Sequence, residues 1–174
     1  ELANMILANN TVQTQLPAIA DENSIRKKQN IESSVYNTLT NYLFNTANRS
    51  ISYISILQEN STISTHSIRF QKVPMDVRND LIKHGRLAQG ATIWVTDYSQ
   101  EYGFFLVKEL RETNPFSLQP IGTLIINLNL NTLIEQTTVF HSSYEAPSFL
   151  MFDKGTDIYS SNPLREEDIE KLIS

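Results

Sequence analysis

Residues 121–129, IGTLIINLN, set Leu124, Ile126 and Leu128 in alternation with Thr123, Ile125, Asn127 and Asn129. A period of two makes one face apolar and leaves the other partly polar, which is the signature of a strand. Working back from it, Gly103 to Glu109 and Ala91 to Thr96 are two more short apolar runs. An aromatic connector carrying Tyr98 and Tyr102 separates those two, and the polar stretch Arg111 to Gln119 precedes the last. Three strands are predicted here. Further back, Ile51 to Leu57 and Thr62 to Phe70 are rich in β-branched and aromatic residues, and Gln58-Glu59-Asn60-Ser61 between them is good turn material. An antiparallel hairpin follows.

Between hairpin and strands, Pro74, Met75 and Asp76 open a segment whose Val77, Leu81 and Ile82 share a helical face. It runs through Leu87 to Gly90, a C-terminal cap, although Gly85 inside it weakens a helix by about 1 kcal/mol against alanine. The first fifty residues are polar, rich in Asn, Ser and Thr, and predict helix on either side of Pro17. Ile31, Val35, Leu39, Tyr42 and Leu43 recur there at helical spacing. Such a stripe must face either a sheet of the same chain or the equivalent helix of a second copy.

Beyond the sheet, Leu130, Leu133 and Ile134 predict a helix. Phe149 to Phe152 and Asp157 to Ser160, joined by Asp153-Lys154-Gly155-Thr156, predict a second hairpin, and Asn162 with Pro163 opens a terminal helix. Three regions result: 1–50 helical, 51–140 a complete module, and 141–174 the beginning of a second module that repeats the first one's opening. A long N-terminal helix with a five-stranded antiparallel sheet and helices on one side is an α+β arrangement of the PAS type.

Composition narrows the function. The 174 residues carry 14 Lys and Arg against 19 Asp and Glu, a formal charge of -5, which gives no electrostatic drive toward nucleic acid. Zero cysteines remove disulfides, thiolate metal sites and cysteine nucleophiles. No apolar run reaches the roughly 20 residues that cross a bilayer. The chain opens at Glu1 rather than Met and is read as part of a larger protein with membrane segments beyond its ends. GRLAQGAT, residues 85–92, has the glycine spacing of a phosphate loop, but Ala91 stands where the lysine is needed. His66, His84 and His141 lie far apart and show no zinc spacing, no G-x-S-x-G elbow is present, and residues 153–157 are too short and too poor in acids for a calcium loop. Neither catalysis nor a cofactor or metal is expected. What remains is an aromatic concentration, Tyr53, Trp94, Tyr98, Tyr102, Phe104 and Phe105, with Arg69, Arg78 and Arg86 in the same third of the chain. Rings and a few polar groups make small-molecule pockets, and they make cores too; for Trp94 both readings stay open.

Four stretches carry a resemblance: ANMILANNTVQTQLP (3–17), AQGATIWV (88–95), QPIGTLIINLNLNTLIEQ (119–136) and SFLMFDKGTDIYSSN (148–162). Together they resemble the extracytoplasmic double Cache sensor region of bacterial membrane histidine kinases, in particular the YesM-like group. The resemblance implies a PAS-like Cache fold with a membrane-distal module at 51–140 and an incomplete membrane-proximal one at 141–174. It implies a non-catalytic, ligand-sensing domain outside the cell membrane, tethered by transmembrane helices and dimeric through its N-terminal helices. It also places a pocket between the sheet and the Arg69 to Ala88 connection, lined by Tyr53, Arg69, Trp94, Tyr98, Tyr102 and Phe104, with Pro74 to Gln89 across one end. Many amino-acid-binding Cache domains carry an arginine two residues before the strand tryptophan. Thr92 stands there in this chain, which counts against an amino-acid ligand. Cache regions also serve chemoreceptors and diguanylate cyclases, and a secreted, non-signalling binding module is the rival of another class.

Overall fold

The computed structural model describes residues 1–46, 49–113 and 117–129, Thr132, and the backbone of two short strands at 150–153 and 156–160. Three helices come first: α1 (Leu2–Leu7), α2 (Asn10–Asp21) and α3 (Ile25–Asn45). They are followed by β1 (Ile51–Gln58), β2 (Ser61–Ser64), α4 (Ser67–Gln71), α5 (Met75–Leu87), β3 (Thr92–Val95), α6 (Ser99–Tyr102), β4 (Phe104–Arg111) and β5 (Pro120–Leu128). A separate hairpin joins β6 (Leu150–Asp153) to β7 (Thr156–Ser160). The helices expected after Leu130 and from Asn162 lie outside the described residues. Among those described, no helix is long and apolar enough to cross a membrane.

The chain is α+β, with one five-stranded antiparallel sheet in the order β2-β1-β5-β4-β3. The stretch that decides the fold is its centre. β5 pairs with β1 on one side (Ile54 opposite Ile126) and with β4 on the other (Val107 opposite Ile125). Because side chains alternate across a strand, these registers sort the core into two layers. Ile54, Ile56, Phe104, Leu110, Leu124, Ile126 and Leu128 belong to the first face, packed with Ile6, Val12, Leu16, Val35 and Leu39 of α1 to α3. Tyr53, Leu57, Phe105, Val107 and Ile125 belong to the second, packed with Phe70, Val77 and Leu81 of α4 and α5.

Helices therefore cover both faces, not one. The partly polar face of β5 is roofed, and Thr123 and Asn127 are as buried as their apolar neighbours. Gly85 belongs to this roof. A Cβ there would sit 3.2 Å from both Thr123 Cγ2 and Val107 Cγ1, so the missing side chain lets α5 lie close on the sheet. The chain leaves α5 through Gln89 and Gly90, at φ 50° and 87°, as expected for a glycine-assisted stop.

Two boundaries differ from expectation. Pro17 does not separate two helices but lies inside α2; the breaks fall at Asn9, whose side chain accepts from the N–H groups of Thr11 and Val12 at 2.9 and 3.3 Å, and at Ser24, which accepts from Lys27 N–H. Sheet anchors hold α2 in place of the bond proline forfeits: Gln58 Nε2 donates to the Leu16 carbonyl and Gln13 Nε2 to the Arg111 carbonyl. The second strand of the first hairpin ends at Ser64, and 67–71 form α4 instead of continuing it. His66 Nδ1 accepts from the Arg69 N–H at its start. Val35 and Leu39 are fully buried in the first-face core, so the α3 stripe meets its own chain.

Candidate ligand-binding site

On the second face, the end of the sheet where β1 begins and β5 stops carries a cavity of about 380 Å³ between α4 and α6. Its floor is Ser52 and Tyr53 of β1 with Asn127 and Asn129 at the end of β5. One wall is Arg69, Lys72 and Val73, and the other is the turn from Ser99 to Gly103.

Each wall is held by a specific device. Arg78 of α5 reaches back and donates to the carbonyls of Phe70 (3.1 Å), Gln71 (2.9 Å) and Val73 (2.8 Å), which closes the C-terminal end of α4. Its guanidinium also lies 4.7 Å from the centre of the Phe70 ring, and Phe70 meets Tyr53 edge to face at 5.8 Å. Arg78→Met keeps most of the aliphatic stem and removes every donor. It should cost about 2–3 kcal/mol, read from urea unfolding, because charged hydrogen bonds to carbonyls are worth more than neutral ones. A loss below about 0.5 kcal/mol would mean that α4 does not depend on this arginine. On the other wall, Asn127 Nδ2 donates to the Tyr102 carbonyl at 2.7 Å and to the Phe104 carbonyl at 3.4 Å, straddling Gly103 and pinning α6 to the sheet.

The polar groups left over define the chemistry. Tyr53 is 3% exposed, and its hydroxyl has no hydrogen-bond partner. Burial pushes that phenol far above its ordinary value, opposed more weakly by the charges of Arg78 and Arg69, so it is a neutral donor at any physiological pH. Tyr102 is also raised, first by desolvation and then by a hydrogen bond to Glu101 and the charges of Glu101 and Asp76. Among the described residues Arg111 pairs with Glu109 and the His84 ring lies 3.2 Å from Asp80 Oδ2, and neither Arg69 nor Lys72 takes part in such a contact. No group of three or more His, Asp or Glu among them is placed to hold a metal.

Of the expected pocket residues, Tyr53, Arg69 and Tyr102 come together here. Tyr98 stands at the start of α6, where its hydroxyl donates to Asp80 Oδ2 at 3.0 Å and ties α6 to α5. Trp94 and Phe104 do not line the cavity, for a reason of parity. Phe105, not Phe104, is opposite Asn127, while Trp94 pairs with Leu106 and so shares the first face. Phe104 is buried in the first-face core, and Trp94 is 57% exposed on the edge strand β3. Nor does α5 line the cavity; α4 and α6 supply its walls. Lys72, Glu101 and Asn127 were missed. Only Asn127 had a visible signal, as an amide on the partly polar face of the mainly apolar β5.

In comparisons with known proteins, no family model matches the chain and no curated protein matches it significantly.

Proposed function

We propose that this chain is the extracytoplasmic, ligand-sensing Cache region of a bacterial membrane sensor histidine kinase, with residues 51–140 as a PAS-like membrane-distal module and the β6–β7 hairpin as the start of a second. It catalyses nothing itself. The observation that carries the reading is the cavity, lined by a buried phenol and by two cations that take part in no ion pair among the described residues. A five-stranded antiparallel sheet that follows a long helix agrees with it.

The position of the cavity suits transmission. Its floor belongs to the strand that follows α3 and to the strand that leaves the module, and at that junction the Asn129 N–H donates to the Ser50 carbonyl at 2.7 Å. A ligand that bridges the α4 and α6 walls binds better when they are drawn together, and this difference in affinity shifts the population of two packings. The long helix α3 would carry the shift to the membrane. A dimer through the N-terminal helices would use the outer side of α3, where Tyr36 and Phe44 are exposed, since Val35 and Leu39 are already covered.

A thermal-shift screen of small metabolites against the chain tests the reading. At a hundredfold excess over Kd a ligand stabilises by about 2.7 kcal/mol, which for a domain of this size raises Tm by roughly 5–10 °C. That shift should shrink in Tyr53→Phe. A screen without any stabilising compound, or hits whose shift is unchanged in Tyr53→Phe, would refute a sensing role for this cavity.

A further inference from the structure

The two walls of the cavity are not built alike. The α4 wall is rooted in the core, where Phe70 and Val73 are buried and Arg78 holds three of its carbonyls. The α6 wall sends no large side chain that deep. Tyr98 and Tyr102 are half-buried against the second-face core, and Gln100 and Glu101 between them are exposed. Burying a large apolar side chain outweighs a single polar contact, so α4 is the firmer of the two. Within itself, however, the α6 turn is closed: the Tyr102 N–H donates to the Tyr98 carbonyl at 2.9 Å and the Gly103 N–H to the Ser99 carbonyl at 3.1 Å. It is able to shift as one unit. Side-chain hydrogen bonds tie that unit down at both ends. At one end Asn127 straddles Gly103, bonding the Tyr102 and Phe104 carbonyls. At the other the Tyr98 hydroxyl donates to Asp80 Oδ2 of α5 at 3.0 Å. Asp80 is itself set from its own helix, since His84 Nδ1 lies 3.2 Å from the same oxygen and 3.0 Å from the Asp80 carbonyl; both are acceptors, so Nδ1 carries the proton.

We infer, resting on the reading of this cavity as a ligand site, that the turn from Tyr98 to Gly103 is its gate and the Tyr98–Asp80 hydrogen bond the latch of that gate, with α4 as the fixed wall. The pivot is Gly103. Its φ of 81° belongs to backbone space that glycine enters and leaves at little cost, and Asn127 pins the carbonyls on either side of it. The latched end is the weaker one. Asp80 and His84 are each about a third exposed, with side-chain accessibilities of 31% and 37%, so water replaces the tyrosine as a partner when the latch opens. Thr96 and Asp97 lie beyond the end of β3 and leave slack for the turn to lift. The Tyr98 phenol is raised, first by desolvation and then by its bond to Asp80, so it stays protonated and donating. Segments held by few buried contacts are those that open first, and this one borders the cavity along Ser99 to Gly103.

Because the 174-residue chain has no cysteine, spin labels on introduced pairs report without background. Gln71→Cys with Gln100→Cys spans the two walls, and Gln71→Cys with Lys83→Cys relates α4 to α5; all three positions are exposed. In Tyr98→Phe, electron–electron distance measurements should show a longer population for the Gln71–Gln100 pair, about fivefold more occupied than in the parent, with the Gln71–Lys83 distances unchanged. Asp80→Ala should act in the same way and Asp80→Asn much less, since its amide oxygen still accepts. Tyr98→Phe combined with Asp80→Ala should open the wall no further than either change alone, as expected of two partners in one bond. An unchanged Gln71–Gln100 distribution in Tyr98→Phe, effects that add in the double variant, or an equal change in the Gln71–Lys83 pair would overturn the gate. No ligand enters the measurement, so a gate that fails leaves the sensing reading to the metabolite screen, and a screen that fails leaves the latch to these distances.

Discussion

Replacing Gly103 by alanine should remove about 3 kcal/mol or more of stability and with it the pocket. This residue joins α6 to β4 at φ 81° and ψ -171°, a region of backbone space open essentially to glycine alone. Strain of that kind costs on the order of 1–3 kcal/mol even where space is available, and here there is none. A Cβ would drive into the carbonyl oxygen of Leu128, far inside contact distance. Leu128 cannot yield easily, because it is backbone paired on both sides, with Phe104 of β4 and Ile51 of β1. Relief must come from moving α6, which breaks the Asn127 bond to the Tyr102 carbonyl and opens the cavity wall. Urea unfolding of Gly103→Ala gives the loss directly, and amide exchange should show lost protection concentrated at residues 99–105. A variant within about 0.5 kcal/mol of the parent would show that this turn can be made another way.

How much of this was legible in the residues follows from the same geometry. The central strand announced itself because Leu124, Ile126 and Leu128 alternate, and the neighbouring runs needed only turn residues between them. The second helical layer was harder to read. Nothing in β4's sequence marks Lys108 and Glu109, adjacent and so on opposite faces, as interior residues; in the fold both are buried, Lys108 donating to the Gly90 carbonyl and Glu109 pairing with Arg111 at 2.6 Å. Short helices escaped altogether. In α4, Ile68 and Phe70 alternate with polar residues as a strand would, and the helix depends on His66 before it and Arg78 eight residues after Phe70. No local pattern records the reach of Arg78. The pocket suffered from parity in the same way, since a shift of one residue carries Phe104 and Trp94 to the other side of the sheet. Tyr53, Arg69 and Tyr102 share one cavity because the strand β1, the helix α4 and the helix α6 meet at that end of the sheet, which the aromatic and cationic composition of this third of the chain suggested without placing it.

Val35 on α3 separates what holds the domain together from what would carry its signal. Its side chain is fully buried among the first-face core residues, with Leu39 one turn further on. Val35→Asp loses about 1.5–3 kcal/mol of burial and brings in a carboxyl that has to be desolvated or stay protonated, so a total of about 3–5 kcal/mol is expected. Marginal stability makes that close to the whole folding free energy. Far-ultraviolet circular dichroism and thermal unfolding should report a largely unfolded or strongly destabilised chain, and a Tm within a few degrees of the parent would contradict the packing of α3 against its own sheet. If the chain belongs to a receptor as proposed, any loss of output in Val35→Asp is then a folding defect. The informative partner is Phe44, 80% exposed on the same helix. Phe44→Asp removes no core contact and should leave Tm unchanged. If α3 transmits by packing against a second copy, the folded Phe44→Asp receptor will shift its dose response while the isolated chain keeps its ligand affinity. A parental dose response from a folded, membrane-inserted Phe44→Asp receptor would take the outer side of α3 out of the signalling path, because the inner side is already committed to the core.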